Sequence, residues 1–256
     1  MSNPPVRPLA ERVVIVTGGA NGIGRAYCTD LVHAGCRVVV ADIDGDGAQA
    51  LAQALSGEVG DERAIGVAVD VTSPEETREM AQAATAAFGR IDVLVNNAGS
   101  YPHVAFDDID LEAWRRVISL NLDSVFLCVK AVLPAMRAQG GGGIVNVATN
   151  LVWSGLPNMT HYIAAKSAVV GLTKALAREL GHEGITVNAL APGAVIPDRR
   201  LSLAGARAVD EIVNYQAVKR PQAASDLVGA MRFLCSPDAD FISGQVLTVD
   251  GGLTMH

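Results

Sequence analysis

Short runs of β-branched residues alternate along the chain with longer segments rich in alanine and leucine. The runs have the length of strands, and the longer segments between them predict helices. Predicted strands cover Arg12–Thr17, Arg37–Asp42, Ala64–Asp70, Val93–Asn96, Gly143–Ala148, Thr186–Leu190 and Gln245–Val249. Predicted helices cover Gly22–Ala34, Gly47–Leu55, Pro74–Phe88, Leu111–Met136, His161–Leu180 and Ser225–Cys235. Strands that are apolar on both faces and alternate with helices indicate a parallel sheet covered on both sides.

The pattern predicts a single α/β domain. No linker rich in proline, glycine or serine divides it, and no internal repeat is visible. We therefore expect one doubly wound parallel sheet over residues 11–256, after a flexible tail at residues 1–10. The least regular stretch predicts a substrate lid at about residues 193–221, because a long irregular segment in a compact domain is typical of a lid or binding loop.

Composition and charge exclude several classes of protein. Half of the 256 residues are hydrophobic, which is enough to form a core and rules out a disordered chain. The formal net charge of −7 disfavours non-specific binding to nucleic acid or to an anionic membrane surface. The longest apolar runs, such as Val13–Val16, are too short to span a bilayer, so we expect no membrane partner.

The four cysteines indicate a reducing compartment. Cys28, Cys36, Cys128 and Cys235 are scattered, with no CxxC pair and no histidine at a ligand spacing. This arrangement favours four reduced thiols in packed surroundings over disulfides or a metal site. The N-terminal residues lack the apolar centre of a signal peptide, so we expect a cytoplasmic protein.

A glycine-rich turn, Thr17–Gly24, connects the first predicted strand directly to a helix. Glycines let the chain turn tightly and let backbone N–H groups approach a phosphate, and the start of a helix favours negative charge. This context predicts a pyrophosphate site. The alternative is an ordinary connection between strand and helix that needs small residues.

The second predicted strand ends in Asp42, at the separation expected for a carboxylate that accepts hydrogen bonds from an adenosine ribose. A carboxylate here would repel a 2′-phosphate. No arginine or lysine lies in the glycine turn or directly after Asp42 to offset that repulsion. The pattern therefore predicts NAD rather than NADP, with a solvated strand-end aspartate as the alternative.

Two further strand ends carry residues suited to a nucleotide. Asp70 and Val71 end the third predicted strand and can bracket an adenine edge, and Asn96–Gly99 ends the fourth. Small residues in Asn96–Gly99 permit close approach of the backbone, and asparagine amides can fix the turn. Because open parallel sheets bind ligands outside the carboxyl ends of their strands, we expect these residues to share one site.

Tyr162 and Lys166 lie four residues apart, and therefore adjacent on one face of a predicted helix. A nearby cation stabilises a phenolate and lowers the pKa of the tyrosine. Such a tyrosine can take a proton from an alcohol as hydride leaves, or return one to a carbonyl, which is worth roughly 10²–10⁴-fold in rate. Taken alone, such a pair is more often an incidental feature of a surface helix.

The motifs occur together in the order of the short-chain dehydrogenase/reductase family. They are Thr17–Gly24, Asn96–Gly99, Asn121, Tyr162-x-x-x-Lys166 and Pro192-Gly193. The chain resembles this family from about Arg12 to its C-terminus. The resemblance implies a Rossmann-type sheet and a nicotinamide cofactor, and the terminal Asp-Gly-Gly matches an ending that implies a homotetramer.

The same resemblance implies roles for individual residues. Tyr162 would be the acid/base, Lys166 would also grip the nicotinamide ribose, and Asn121 would anchor a water in the proton relay. The residues expected to bind NAD are Gly18, Asn21, Gly22, Ile23, Gly24, Asp42, Ile43, Asp70, Val71, Asn97, Ala98, Gly99, Tyr162, Lys166, Pro192, Gly193 and Val195.

The sequence departs from the family pattern at two positions. Thirteen residues before its tyrosine the family usually has serine, whereas this chain has Thr149. A threonine hydroxyl makes the same hydrogen bonds, so we expect Thr149 to be catalytic, although its methyl group and stiff χ1 can narrow the pocket or misalign the hydroxyl. Pro197 stands where the family often has threonine, and it offers no hydroxyl to the cofactor.

The sequence thus predicts an NAD(H)-dependent oxidoreductase that interconverts an alcohol and a carbonyl. Its small-molecule substrate is expected to be apolar, cyclic or aromatic, because the segments around the site carry mainly such residues. These are Tyr101, Pro102, His103, Leu151, Val152, Trp153, Met159 and His161. Two alternatives stay open, namely oxidation of an aldehyde through its cyclic hemiacetal to a lactone, and a catalytically weak NAD-binding sensor or scaffold.

Overall fold

A seven-stranded parallel sheet forms the centre of the computed structural model, which describes residues 8–196 and 203–255. The strands are β1 Val13–Thr17, β2 Arg37–Asp42, β3 Ala64–Ala68, β4 Val93–Asn96, β5 Gly142–Val147, β6 Ile185–Pro192 and β7 Val246–Val249. They lie in the order β3-β2-β1-β4-β5-β6-β7, and each neighbouring pair is parallel. The strand order changes direction between β1 and β4, which is where open α/β sheets bind ligands.

Helices cover both faces of this sheet. They are α1 Gly22–His33, α2 Gly45–Val59, α3 Pro74–Phe88, α4 Leu111–Ile118, α5 Ser124–Ala138, α6 Leu151–Ser154, α7 Thr160–Leu180, α8 Leu203–Tyr215 and α9 Ser225–Cys235. Because successive strand residues point to opposite faces, Val14 and Val16 pack with α1, α2 and α9, whereas Ile15 packs with α3, α5 and α7. The predicted doubly wound α/β fold is confirmed.

Local chemistry accounts for element boundaries that differ from the prediction. The α2 helix begins at Gly45 because Asp44 caps it, accepting a hydrogen bond from the backbone N–H of Gly47 at 3.0 Å. It continues to Val59, where Gly60 adopts the left-handed conformation that ends many helices. The third strand stops at Ala68, so the prediction that it runs to residue 70 is wrong by two residues.

The segment predicted as one helix, Leu111–Met136, contains a π-helical turn at Ser119–Asp123 between α4 and α5. This turn carries Asn121, and π turns inside helices often occur at functional sites. Among the described residues, Leu111–Ala138 is the one helical stretch long and apolar enough to cross a membrane by length and composition. Nearly half of its most apolar window, 44%, is buried in the fold, where α5 packs on the sheet.

Both irregular regions predicted from the sequence contain regular structure. In the predicted tail, residues 1–7 lie outside the described residues, but Leu9–Glu11 forms a 3₁₀ turn whose Leu9 packs against the core. In the predicted lid, residues 197–202, with Pro197 among them, lie outside the described residues. The segment predicted as a lid also contains the 13-residue helix α8, which the expectation of an irregular segment missed.

Candidate active site

A cleft of about 1030 Å³ opens at the carboxyl ends of the strands. It is lined by most of the residues that the sequence predicts to bind NAD, namely Gly18, Asn21, Gly22, Ile23, Gly24, Asp42, Ile43, Asp70, Val71, Asn97, Ala98, Gly99 and Val195. Four predicted residues are not among the lining residues, namely Tyr162, Lys166, Pro192 and Gly193. Of these, Tyr162 lies next to Tyr101, Lys166 next to Gly99 and Gly193 next to Gln222.

The glycine-rich turn after β1 has a conformation that requires glycine. Gly18 and Gly22 have φ angles of +62° and +53°, in the left-handed region that other residues rarely adopt. At Gly24, an added Cβ would overlap the carbonyl oxygen of Gly18 and lie 2.7 Å from the side-chain nitrogen of Asn97. The turn therefore holds α1 close to the loop after β4 and leaves the N-terminal end of α1 beside the cleft.

The ends of β1 and β4 are joined by paired hydrogen bonds. The Thr17 hydroxyl oxygen accepts from the backbone N–H groups of Asn97 and Ala98 at 3.0 and 3.1 Å. In return, the Asn97 side-chain amide donates to the carbonyl oxygens of Thr17 and Gly18 at 2.9 and 3.1 Å. This arrangement fixes the floor of the cleft before any ligand enters.

Two carboxylates follow the neighbouring strands. Asp42 ends β2 and accepts hydrogen bonds from the backbone N–H groups of Ala20 at 2.9 Å and Asp44 at 3.0 Å, which hold it at the rim of the cleft. Asp70 comes two residues after β3, and one of its oxygens accepts from the backbone and the hydroxyl of Thr72. Each carboxylate keeps lone pairs for further donors.

Tyr162, Lys166 and Asn121 meet beside Gly99, at the other end of the cleft. The Lys166 Nζ lies 6.0 Å from the centre of the Tyr162 ring. A Cβ added at Gly99 would lie 2.6 Å from Asn121 Oδ1 and 3.6 Å from Lys166 Nζ, so only glycine leaves this junction open. Asn121 Oδ1 is buried with no hydrogen-bond partner among the described residues, whereas its Nδ2 donates to the carbonyl oxygens of Ser100 and Val117.

Burial controls the protonation of this pair. Removal of solvent raises the pKa of Tyr162 to about 12, against the direction expected from a neighbouring cation. The tyrosine therefore rests as a neutral phenol. Lys166 is only 3% exposed, and burial lowers its pKa to about 8. The α7 helix packs Lys166 against β5, where its Nζ donates to the carbonyl oxygen of Val147 at 2.8 Å, so the lysine does not lie on an exposed surface of its helix.

Thr149 lies two residues after β5 and is almost fully buried. Its hydroxyl lies close enough to the Tyr162 phenol to lower the pKa of that tyrosine, an effect smaller than that of burial. The same hydroxyl accepts a hydrogen bond from the backbone N–H of Leu151 at 3.3 Å. The next residue, Asn150, donates its backbone N–H to the carbonyl oxygen of Pro192 at 3.0 Å. The end of β6 thereby fixes the segment that carries the Thr149 hydroxyl.

The segment after β6 contains a residue that the sequence analysis missed. Gln222 forms a parallel bridge with Val195 and lines the cleft, and its side-chain oxygen would lie 2.7 Å from a Cβ at Gly193. Its Nε2 donates to the carbonyl oxygen of Val249 at 2.6 Å. No local pattern marks Gln222, because its place depends on pairing with a residue 27 positions earlier. The cleft also includes Val69, Tyr101, Leu120, Ile196, Pro221, Ala223 and Ala224.

The four cysteines are not among the residues that line the cleft. Cys28, Cys36, Cys128 and Cys235 are buried free thiols, and burial raises the pKa of each one. Among the described residues, no group of three or more histidine, cysteine, aspartate or glutamate side chains is placed to hold a metal ion.

Comparison with known proteins identifies the family. A family described as enoyl-(acyl carrier protein) reductase matches residues 18–254. A 3-oxoacyl-(acyl-carrier-protein) reductase from Synechocystis sp. is 38% identical over 252 residues, covering 96% of this chain and 98% of the relative. A cis-4-hydroxycyclohexanecarboxylate dehydrogenase from Sinomonas cyclohexanicum is 40% identical over 254 residues, covering 96% of this chain and 97% of the relative.

A solved structure from Sinorhizobium meliloti 1021, described as that of a short-chain alcohol dehydrogenase, has a TM-score of 0.90 and 32% sequence identity. The match covers 97% of this chain and 98% of that one. The agreement therefore extends over the sheet, the cleft and the helix that carries Tyr162. The chain belongs to the short-chain dehydrogenase/reductase family, whose members are oxidoreductases that use nicotinamide cofactors.

Proposed function

We propose that the protein is an NAD(H)-dependent oxidoreductase that interconverts a secondary alcohol and a ketone on an apolar, ring-shaped substrate. The observation that carries this proposal is the meeting of Tyr162, the neighbouring Thr149 hydroxyl and the buried Lys166 at the end of a cleft that begins with a glycine turn. A phenol, a hydroxyl and an ammonium group together can hold an alcohol oxygen and move its proton.

The residues of the cleft fit a nicotinamide dinucleotide. Gly18, Gly22 and Gly24 carry no side chains, so a pyrophosphate can approach the backbone N–H groups of the turn and the N-terminal end of α1. Asp42 stands on the adenosine side, and Gly99 and Val195 stand on the nicotinamide side. When bound, the cofactor supplies hydride acceptance and donation. Lys166, next to Gly99, would hold its nicotinamide ribose.

Proton transfer is assigned to Tyr162. In the reducing direction its neutral phenol donates a proton to the carbonyl oxygen of the substrate while Thr149 donates a second hydrogen bond to that oxygen. In the oxidising direction the phenolate takes the proton from the alcohol, and the Lys166 ammonium stabilises that phenolate. The unpartnered Oδ1 of Asn121 can accept a hydrogen bond from a water, which would return the proton to solvent.

The preference for NAD over NADP rests on Asp42. Its carboxylate is held at the rim by two backbone N–H groups and retains lone pairs for ribose hydroxyls. A 2′-phosphate at the same place would meet this negative charge, and repulsion between the two like charges would oppose its binding.

The substrate class is inferred from the apolar end of the cleft. Tyr101 and Leu120 line that end, and Thr149 and Tyr162 supply the polar groups. The Sinomonas relative is named for a hydroxylated cyclohexane ring, which agrees with an apolar site for a ring that carries one hydroxyl. A small-molecule partner of this kind needs no surface for nucleic acid or membrane.

The decisive experiment is a turnover screen of purified protein with NAD⁺ and a panel of secondary alcohols, lactols and steroids, followed by product identification. A ketone product supports the proposal, whereas a lactone supports the hemiacetal alternative. NADH binding with no turnover across the panel would overturn the enzymatic assignment and favour the sensor. Tyr162→Phe should abolish turnover and keep NADH binding.

We propose further that the chain forms a homotetramer in the cytoplasm. Leu111 and Phe126 are large apolar side chains on the Leu111–Ala138 stretch, and they are 61% and 52% exposed. An exposed apolar face of this kind is commonly covered by another copy of the chain. Four unpaired buried thiols suit a reducing compartment.

A further inference from the structure

Tyr101 presents an exposed ring beside the proposed catalytic phenol. Its ring is tilted at 63° to the ring of Tyr162, with the two centres 6.2 Å apart, in an edge-to-face arrangement. Tyr101 also lines the cleft, yet 63% of its surface remains in contact with solvent. The Tyr101 ring therefore contacts the site with one edge and solvent with the other, and most of its apolar surface is available to a ligand.

The backbone holds Tyr101 in this place from both sides. Directly before it, the carbonyl oxygen of Ser100 accepts a hydrogen bond from Asn121 Nδ2 at 3.0 Å. Three residues after it, the N–H of Val104 donates to the carbonyl oxygen of Asn158 at 2.8 Å. Asn158 has a φ of +65°, so a tight turn directs that carbonyl toward the loop. The exposed ring thus belongs to an anchored loop and is preorganised for contact.

The position relative to Tyr162 defines what the ring can touch. A substrate whose oxygen is hydrogen-bonded to Tyr162 and Thr149 must extend its carbon skeleton away from those hydroxyls. Leu120 and Tyr101 are among the apolar side chains that line the cleft, and Tyr101 is the one in ring contact with Tyr162. A flat or chair-shaped ring offers enough area to cover the exposed face of Tyr101, whereas a three-carbon chain does not.

We propose that Tyr101 is a specificity-determining residue that selects ring-shaped apolar substrates by packing its ring against theirs. This inference rests on the proposed function, because it takes Tyr162 and Thr149 as the anchor of the substrate oxygen. This contact requires the aromatic ring of Tyr101 and does not require its hydroxyl.

The test compares two secondary alcohols, cyclohexanol and 2-propanol, in the full-length protein with NAD⁺. The parent should favour cyclohexanol in kcat/KM. Tyr101→Ala should reduce that preference about tenfold, chiefly through KM for cyclohexanol, and Tyr101→Phe should retain it within about twofold. Phe106→Ala is the matched control, because Phe106 is similarly exposed, at 67%, in the same loop and does not line the cleft.

A binding measurement separates this inference from the proposed function. Saturation-transfer NMR of cyclohexanone with the NAD⁺ complex reports ring contact without turnover, because neither the ketone nor the oxidised cofactor can donate hydride. Signal in the parent and Tyr101→Phe, with loss in Tyr101→Ala, supports the inference even if no alcohol is oxidised. An unchanged preference or unchanged signal in Tyr101→Ala would overturn it, and so would a parent that binds no cyclohexanone. An unchanged NADH dissociation constant in every variant confirms that the cleft is intact.

Discussion

Lys166 donates a hydrogen bond from its Nζ to the carbonyl oxygen of Val147 at 2.8 Å, which ties the helix bearing Tyr162 to the end of a central strand. The Lys166 ammonium is therefore buried inside the protein, with its Nζ 6.0 Å from the centre of the Tyr162 ring. Burial lowers the pKa of Lys166 to about 8, so the folded protein gives up this proton more readily than the unfolded chain does.

The first prediction concerns stability as a function of pH. Between the lowered pKa of about 8 and the unfolded value of 10.5, the unfolded state binds more protons, so stability rises with pH. Below pH 8, Lys166 is protonated in both states, and the full free-energy cost of burying its charge destabilises the folded protein. Each unit of difference between its folded and unfolded pKa values corresponds to about 1.4 kcal/mol. Urea unfolding from pH 7.5 to 10 should show the parent gaining stability relative to Lys166→Met.

The control for this measurement is Lys174→Met. Lys174 is exposed on the same helix, so its removal should leave the pH dependence of unfolding like that of the parent. If the unfolding free energies of the parent and Lys166→Met differ by the same amount at every pH in this range, the pKa of Lys166 is not lowered in the folded protein.

The second prediction concerns the glycine turn. Gly24→Ala would push a methyl group into the carbonyl oxygen of Gly18, so we expect a loss of about 1–3 kcal/mol in unfolding free energy and much weaker NADH binding. Gly57→Ala is the matched control within α2, where no heavy atom of the described residues lies within 4 Å of the added carbon. It should stabilise the protein by about 0.5–1 kcal/mol. Equal effects in the two variants would refute close packing at Gly24.

The nucleotide side of the cleft was predictable because its residues follow strands directly. In a parallel sheet the carboxyl ends share one edge, so the turn after β1, Asp42 after β2 and Asn97 after β4 had to come together. Periodicity locates the strands, and the residues after them then line the cleft. The glycine turn and the order of motifs were therefore sufficient for the fold and the family.

Features that depend on pairing between distant residues were not predictable. Helical periodicity does not distinguish a π turn from an α turn, so the turn at Ser119–Asp123 was missed. Gln222 enters the cleft only through its bridge to Val195. The spacing of Tyr162 and Lys166 does not reveal that packing of α7 on β5 buries the Lys166 ammonium. Burial of Tyr162 itself raises the pKa of that tyrosine, against the lowering that a neighbouring cation predicts.

The third prediction concerns the choice of cofactor. Fluorescence titration should give tighter binding of NADH than of NADPH to the parent. Asp42→Ala should weaken NADH binding about tenfold, because a charged hydrogen-bond acceptor is lost, and should bring the two affinities closer together. Asp46→Ala removes an exposed carboxylate that does not line the cleft and should preserve the preference. Equal or tighter binding of NADPH by the parent would reverse the assignment.

The fourth prediction concerns assembly. Multi-angle light scattering should give four times the chain mass of 26.6 kDa. Phe126→Glu should reduce that mass, because a charge buried at an apolar interface without a partner is costly. Tyr215→Glu changes a side chain that is 84% exposed on α8 and should leave the tetramer intact. A monomer mass for the parent in dilute buffer would refute the proposed oligomer.

The fifth prediction concerns Thr149, whose hydroxyl lies near Tyr162 and whose backbone segment is fixed by the end of β6 through Asn150. Thr149→Ser keeps the hydroxyl and removes the methyl group, so turnover should persist or rise. Thr149→Val keeps the branched shape and removes the donor, which leaves the developing oxyanion without one hydrogen bond. Loss of such a preorganised contact costs roughly 3–4 kcal/mol in the transition state, equivalent to 10²–10³ in kcat.

The two Thr149 variants separate catalysis from packing. A positioning effect on the substrate oxygen lowers kcat in Thr149→Val, leaves the NADH dissociation constant unchanged and is absent in Thr149→Ser. A purely structural effect would instead lower the unfolding temperature of Thr149→Val and weaken NADH binding along with turnover. If Thr149→Val remains as active as the parent, another donor holds the substrate oxygen, and Ser154, five residues further along, is the next hydroxyl in the sequence to substitute.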